Sequence, residues 1–435
     1  MAPRTLIPFL LALSIANISL AQSASPTTPK RHLPTHDLRL MAFNVWVGGS
    51  NINAGRQKIV AAIRAAGADI VAIQESNATS VWVAGQLGWY SYMPSQNGSV
   101  ALLSRFPITQ TFPPTSNSAG AGVRIRLGQA PAQDVIVWSC HLTAYPYGPY
   151  QACFDGASVA QVITTQNNTQ LPEVQDILQS MGPSLASADD VPVFLMGDFN
   201  TPSHLDWVAS TSAQHCGYVV PYPVTQAVAA AGMHDAFRSM YPDPALTPGA
   251  TWSPIFPWND DEQATEPQDR IDQIYFAGSG VELMDTEVFV TGIPVASPNH
   301  ASNSWPSDHA SVVADFRLRP RAGTTDAVPA LSLDQVSYAV GQQIVASFTD
   351  GPGNGRDWIG MYPTGEAPGL HNSIAWYYTN NSQNAGAGSG PTTGSVTFGV
   401  GSAPTWPLGV GSYSAYFLCC DGYAVAGLPV SFEVQ

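Results

Sequence analysis

Six short apolar runs each begin or end, to within two residues, on a side chain able to hold a proton, a metal ion or a hydrogen bond. Asn44 follows Leu40-Met41-Ala42-Phe43, Glu75 follows Ile70-Val71-Ala72-Ile73-Gln74, and His141 follows Ile136-Val137-Trp138-Ser139-Cys140. Asp198 and Asn200 come after Pro192-Val193-Phe194-Leu195-Met196-Gly197; Asp272 lies at the start of residues 271–276, and Asp308-His309 precede residues 310–316. Runs this short, bounded by turn residues, read as buried strands. Strands that finish at one edge of a sheet bring residues remote in sequence into a single cleft. The pattern therefore points to a sheet-based α/β fold whose rim carries two amides, four carboxylates and two imidazoles.

Each of these residues alone has a plainer use. An Asp after a buried strand serves as a helix N-cap or turn former, a lone His as a satisfied core side chain, and Asn200 before Thr201-Pro202 as a strand terminator. The combination carries the information. It contains no thiolate and no lysine, and an oxygen-rich donor set suits a hard divalent cation, magnesium or manganese with calcium also open, rather than zinc.

Around these runs, residues 38–45 read as a strand, 54–66 as a helix with Ile59, Val60, Ile63 and Ala66 on one face and Gly67 as its stop, and 69–73 as a second strand. From Tyr90 to His141 a meander is expected, with strands at 100–104, 108–112, 123–127 and 135–140. Residues 155–182 read as helical, and 191–196, 271–276 and 310–316 as the last strands. Composition changes at Arg317-Leu318-Arg319-Pro320-Arg321-Ala322-Gly323, where a domain boundary is expected. A chain of 435 residues exceeds one ordinary core, so it divides into a larger unit at 38–318, a linker at 319–329 and a small antiparallel β-sandwich at 330–435.

Arg4 followed by the apolar stretch 6–20 and by Ser19-Leu20-Ala21 reads as a signal peptide over residues 1–21, with 22–37 as a flexible lead-in. The expectation is a secreted, extracellular and monomeric protein with no integral membrane segment. Sequons at Asn77, Asn97, Asn167 and Asn380 fit export through a glycosylating pathway. Of five cysteines, Cys153 and Cys216 are the expected bridge between two loop-rich segments, while adjacent Cys419 and Cys420 are either a vicinal bridge or two inert thiols. With 16 basic residues against 31 acids the chain carries −15, which excludes a protein that coats nucleic acid but not a locally neutralised site for a phosphate ester.

Phe43-Asn44-Val45, Ile73-Gln74-Glu75, Ser139-Cys140-His141-Leu142, Gly197-Asp198-Phe199-Asn200, Arg270-Ile271-Asp272-Gln273-Ile274 and Ser307-Asp308-His309 resemble, in order, the motifs of the endonuclease/exonuclease/phosphatase superfamily. The resemblance implies a four-layer αββα sandwich and metal-dependent hydrolysis of a phosphoester, either nucleic acid or a phospholipid headgroup, with inositol or sugar phosphate monoesters as the alternative and a non-catalytic binding protein as the contrasting class. Carried over residue by residue, it implies Glu75 as principal metal ligand with Asn44 and Asp308 nearby, and Asp198 and Asn200 orienting water and phosphate. It further implies Asp272 paired with His309, and His141 at the scissile phosphate. In-line attack needs a group for the water and one near the leaving oxygen; His309-Asp272 is assigned to the first and His141 to the second, with exchange left open. His141 stands where abasic-site endonucleases carry Tyr, Trp46 replaces a frequent acidic residue, and Thr201-Pro202 replaces the Tyr-Arg of inositol 5-phosphatases. Tyr145 and Tyr147, in an aromatic proline-rich loop, and Arg270 are further expected at the substrate.

Asp357-Trp358-Ile359-Gly360-Met361-Tyr362-Pro363, Ala375-Trp376-Tyr377-Tyr378 and Asp421-Gly422-Tyr423 resemble SKICH-like or purple-acid-phosphatase-type sandwich domains, which accompany phosphoesterases without supplying catalytic groups. Trp358 and Trp376 are expected in its core rather than on a binding face.

Overall fold

The computed structural model describes residues 36–95, 98–127, 133–319, 329–366, 368–369, 371–399, 401 and 405–435. The expected signal peptide, the sequon residue Asn97, and all but the ends of the expected lead-in and linker lie outside the described residues. Strands β1 (His36–Asn44), β2 (Ile70–Gln74), β3 (Tyr90–Tyr92), β4 (Ala101–Ser104), β5 (Ile108–Thr111), β6 (Gly120–Arg126), β7 (Asp134–His141), β8 (Val193–Asp198) and β9 (His234–Asp235) come first. A small hairpin of β10 (Trp258–Asn259) and β11 (Ala264–Thr265) precedes β12 (Asp272–Ala277), β13 (Val281–Phe289) and β14 (Ser311–Leu318). Two six-stranded sheets result, ordered β13-β14-β1-β2-β4-β3 and β5-β6-β7-β8-β12-β9.

Side-chain alternation along the strands sets the layers. Leu38, Leu40 and Ala42 of β1 share a buried cluster with Val123, Val137, Phe194 and Met196 of the other sheet. Met41 and Phe43 point the other way, into a cluster with Ile59 and Ile63 of the helix Gly55–Ala66. On the second sheet Val193 and Leu195 pack with Val174, Ile177 and Met181 of the helix Gln170–Leu185. Strands buried on both faces read as continuous apolar runs, which is why those of the rim were legible. Helix, sheet, sheet and helix make the four-layer α/β sandwich.

Three expectations need correction. The meander from Tyr90 to His141 is divided: β3 and β4 belong to the first sheet, and β5, β6 and β7 to the second. The helical stretch 155–182 is two helices, Val159–Asn168, which starts at a capping box of Ser158 and Gln161, and Gln170–Leu185, separated where Thr169 leaves helical geometry, and a further short helix, Gly148–Cys153, precedes them. β1 starts inside the span read as lead-in, because His36 and Asp37 pair with Leu318 and Arg317.

In the C-terminal part, Ala330–Leu333, Ile344–Thr349 and Gly394–Phe398 form one sheet. Ser337–Tyr338, Trp358–Pro363, Ala375–Tyr378, Gly411–Cys419 and Ala424–Val434 form a second, and Ile344, Phe348, Ile359, Phe417 and Phe432 fill a common core. Trp358, Tyr362 and Tyr416 belong instead to the cluster that contains Tyr90, Tyr92 and Ile108, so apolar packing is continuous across residues 36–435 that are described.

Cys153 and Cys216 are disulfide-bonded with Cα atoms 5.4 Å apart, as are the neighbours Cys419 and Cys420. Cys140 is unpaired and buried, and burial followed by the nearby Asp198 and Asp272 pushes its thiol well above the ordinary range. Asn77, Asn167 and Asn380 are exposed. No helix among the described residues is long and apolar enough to cross a membrane.

Candidate active site

Strand direction gathers the polar residues. β1 and β2 run parallel and end together at Asn44 and Gln74, so Glu75 emerges beside Asn44. β7 and β8 are also parallel, which sets His141 opposite Asp198. β12 and β14 run antiparallel to β8 and β1, so their first residues meet the last residues of those neighbours: Asp272 pairs with Asp198, and Val312 with Ala42 just after Asp308-His309. The rims of the two sheets then meet, with Asn44 Nδ2 donating to Asp198 Oδ2 at 3.0 Å and to Glu75 Oε1 at 3.2 Å.

Backbone strain is concentrated here. Glu75 and Asn200 adopt φ of 55° and 47°, and Trp46 and Val47 φ of 46° and 53°. For residues other than Gly this region costs roughly 1–3 kcal/mol, and it recurs where a site holds side chains in fixed directions. Asn200 N donates to Asp198 Oδ1 at 2.8 Å and its side chain to Leu142 O at 2.8 Å, while Val47 N donates to Glu75 Oε2 at 2.7 Å. Gly197 has φ 149°, and a Cβ there would lie 2.0 Å from Cys140 O, so only glycine lets β7 and β8 approach closely enough to align His141 with Asp198.

Asp272 Oδ2 lies 2.9 Å from His309 Nδ1, leaving Nε2 directed to Asp198 Oδ2 at 3.8 Å. His141 Nε2 approaches the same oxygen at 3.6 Å, and its Nδ1 is hydrogen-bonded to Ser99 Oγ. Burial acts to lower the His309 imidazole, but the Asp272 and Asp198 carboxylates outweigh it and push the group up to about 10. Asp198 is itself raised, by burial first and then by Asp272, against the pull of His309 and His141. Burial, opposed by His309 and reinforced by Glu75, pushes Asp308 up to about 7.

Four carboxylates, Glu75, Asp198, Asp272 and Asp308, thus face two imidazoles, and no Lys or Arg hydrogen-bonds to them among the described residues. With all four ionised the cluster is anionic even when both histidines are protonated, and Asp272 Oδ1 is buried without a hydrogen-bond partner. A hard divalent cation fits this donor set. Glu75, Asn44 and Asp308 are the residues expected to hold it; Asp272 Oδ2 is engaged by His309, while its Oδ1 is not. Asp198, Asp272 and His309 also lie close enough together to share an ion. The His309–Asp272 hydrogen bond suits proton transfer better than ligation.

Not every expected residue is here. Arg270, expected at the substrate, is 2% exposed and is held by Asp206 and Asp235, with Nε and Nη2 donating to Asp206 and Nη1 and Nη2 to Asp235. Tyr147 is buried, its hydroxyl donating to Asp269 Oδ2 at 3.0 Å. Both are structural, since a charge or phenol among apolar neighbours is spent on its nearest partner. Tyr145 stays 67% exposed on its loop. Conversely, the sequence reading passed over Ser99, which links Glu75 N to His141, and Ser307, whose hydroxyl donates to Asn44 O and accepts from His309 N. It also passed over Trp252, packed 5.0 Å from the His309 ring with Nε1 donating to Glu266, and over Phe256 and His300, which flank Trp46. Only Ser307, inside Ser-Asp-His, carried a local signal.

The sequence model of the Endonuclease/Exonuclease/phosphatase family matches residues 41–309. The chain is 32% identical over 323 residues to uncharacterized protein F14F9.5 of Caenorhabditis elegans, covering 71% of this chain and 98% of that protein. Among solved structures, truncated TDP2 of Caenorhabditis elegans aligns at 17% identity and a TM-score of 0.42 over 64% of this chain and 97% of that one. An AP endonuclease from Archaeoglobus fulgidus aligns at 14% identity and a TM-score of 0.40 over 64% of this chain and 98% of that one. Motif order, rim geometry and the family match agree: the chain belongs to the endonuclease/exonuclease/phosphatase family and is a metal-dependent phosphoric ester hydrolase.

Proposed function

We propose that the protein is an exported phosphodiesterase that cleaves its substrate by in-line attack of water. The observation that carries this reading is the convergence of two imidazoles on Asp198 Oδ2, at 3.6 Å and 3.8 Å, each with its other nitrogen already engaged. With a bound cation offsetting the carboxylates that hold His309 protonated in its absence, the neutral imidazole, its tautomer set by Asp272, would take a proton from water as the new P–O bond forms. Asp198, anchored by Asn44 and by the backbone of Asn200, orients that water. His141, on the other side of Asp198, gives a proton to the leaving oxygen as the old P–O bond breaks. A diester releases a basic alkoxide, and a second imidazole answers that need. Glu75, Asn44 and Asp308 would hold a divalent cation, magnesium or manganese with calcium also open, which would supply neutralisation of the phosphoryl oxygens. Nucleic acid and phospholipid headgroups are both diesters of the required kind. Export is supported by the apolar stretch at 6–20 and by the Cys153–Cys216 bridge.

The test is hydrolysis of bis(p-nitrophenyl) phosphate, p-nitrophenyl phosphate, plasmid DNA and sphingomyelin by the purified chain with magnesium, manganese or calcium, with and without chelator. Chelator-sensitive diester cleavage is expected. Turnover of the monoester alone would overturn the diester reading, and turnover of none would favour a binding protein. N-terminal sequencing of protein from culture medium tests export, with Gln22 expected first.

A further inference from the structure

The C-terminal part contains a cavity of about 460 Å³ that the catalytic reading does not use. Its lining includes Trp358, Tyr362, Trp376, Tyr378 and Tyr423, with Asp421 as the one carboxylate. The rings stand nearly perpendicular to one another: Trp358 against Trp376 at 81° and against Tyr423 at 73°, and Trp376 against Tyr378 at 86°. Rings meeting edge to face form walls of a box, whereas a flat stacking platform for a sugar needs one open face.

Hydrogen bonds fix these walls. Trp358 Nε1 donates to Gly422 O at 3.0 Å, Tyr378 Oη donates to Asp421 Oδ1 at 2.6 Å, and Gln383 Nε2 donates to Trp376 O at 3.2 Å. Gly360 makes room for them, since a Cβ there would lie 2.8 Å from Trp358 Cζ3 and 3.0 Å from Tyr362 Cε2. Charge gives the sign of the ligand. Residues 330–435 contain Asp334, Asp350, Asp357, Glu366, Asp421 and Glu433 against the single Arg356. Arg356 meets Asp421 at 3.4 Å with both side chains about half exposed, a contact that water screens. His371 is the other ionisable non-phenolic group in the lining.

We propose that this cavity binds an alkylated ammonium group, holding it against the faces of Trp358, Trp376, Tyr378 and Tyr423 with Asp421 as counter-ion. The negative faces of aromatic rings attract a cation, tryptophan most strongly, and an alkylated ammonium gives up little hydration on entry. The remaining volume takes the molecule that carries the group, whether a small solute or a lipid headgroup.

Calorimetric titration of the full chain with tetramethylammonium chloride, choline chloride and phosphatidylcholine vesicles tests this, with methyl glucoside as control. Saturable binding of the two free cations is expected, weakened ~tenfold by Trp376→Ala and ~threefold by Asp421→Asn, in line with the range of cation–π energies. Cleavage of bis(p-nitrophenyl) phosphate should be unchanged in both variants, which separates this site from the catalytic one. Vesicle binding in addition identifies a headgroup as the source, and its absence a small solute; both support the site. Absence of saturable cation binding, binding of the glycoside instead, or equal affinity in both variants overturns it. If Trp376→Ala does not fold, the Asp421→Asn comparison decides.

Discussion

Two clusters of buried charge are separated by one residue, Ile271, and they are built on opposite terms. On one side Arg270 and Arg238 face Asp206 and Asp235, two cations against two anions, with the carboxylates accepting from both guanidinium groups and from the Arg238 amide. The spare donors of Arg238 go to the carbonyls of Tyr241, Thr247 and Pro248. On the other side Asp272, Asp198, Asp308 and Glu75 outnumber His309 and His141, and Asp272 Oδ1 has no partner. A neutral, satisfied cluster has no appetite left and stabilises a fold; an anionic, unsatisfied one is held in place by its surroundings and attracts a cation. The difference separates structure from chemistry where residue type alone does not.

The largest effect expected from breaking this contrast is at Arg270. Arg270→Ala leaves Asp206 and Asp235 short of partners in a dry interior, and loss of one partner from such a network costs about 3–5 kcal/mol. Urea unfolding should show that loss, and a change below about 1 kcal/mol would refute the structural role.

Next comes the reactive cluster. Glu75→Ala and His309→Ala should each reduce diester hydrolysis by at least ~100-fold, equivalent to about 2.7 kcal/mol of transition-state stabilisation, with the protein remaining folded by circular dichroism. Near-normal turnover in either variant would remove that residue from the site.

Metal uptake should be proton-linked. Because burial pushes Asp308 up to about 7, cation binding is expected to weaken by up to ~tenfold per pH unit below that value and to release a proton near neutrality, seen as buffer-dependent heats. Heats independent of buffer ionisation would exclude Asp308 as a ligand.

The smallest effect concerns stability against pH in the metal-free protein. His309 is raised from about 6.5 to about 10, so the folded state binds the extra proton and gains from it fully below pH 6.5; that gain is lost as pH rises through 10. Asp272→Asn removes the main carboxylate responsible. Its destabilisation should therefore be greatest near pH 6 and shrink towards pH 10, and a flat or opposite profile would show that His309 is not charged in the fold.

How far the site could be read from sequence follows from the same physics. Asn44, Glu75, His141, Asp198, Asp272, Asp308 and His309 each adjoin a strand buried on both faces, and such strands are visible as apolar runs. β13 was missed because it alternates exposed Glu282, Met284 and Glu287 with covered positions at a sheet edge, leaving no continuous run. Ser99 was missed because its partner His141 is 42 residues away. Arg270 and Tyr147 were misplaced because aromatic and cationic side chains suit a substrate and a buried partner equally, and sequence does not show which way a side chain points. Trp358 is buried, but in the cluster shared with Tyr90 and Tyr92 rather than in the sandwich's own core, and it also forms a wall of the C-terminal cavity.

By itself the sequence determined the fold class, the order of the motif-bearing strands and the residues at their ends, since apolar periodicity and the reach of a strand are properties of a local stretch of chain. Only the tertiary structure decided which charges are neutralised and which are left wanting, because that depends on partners brought together from distant parts of the chain. Asp269 and Arg270 turn into a satisfied interior while Asp272 turns towards His309, and no local property of residues 269–272 distinguishes the two outcomes.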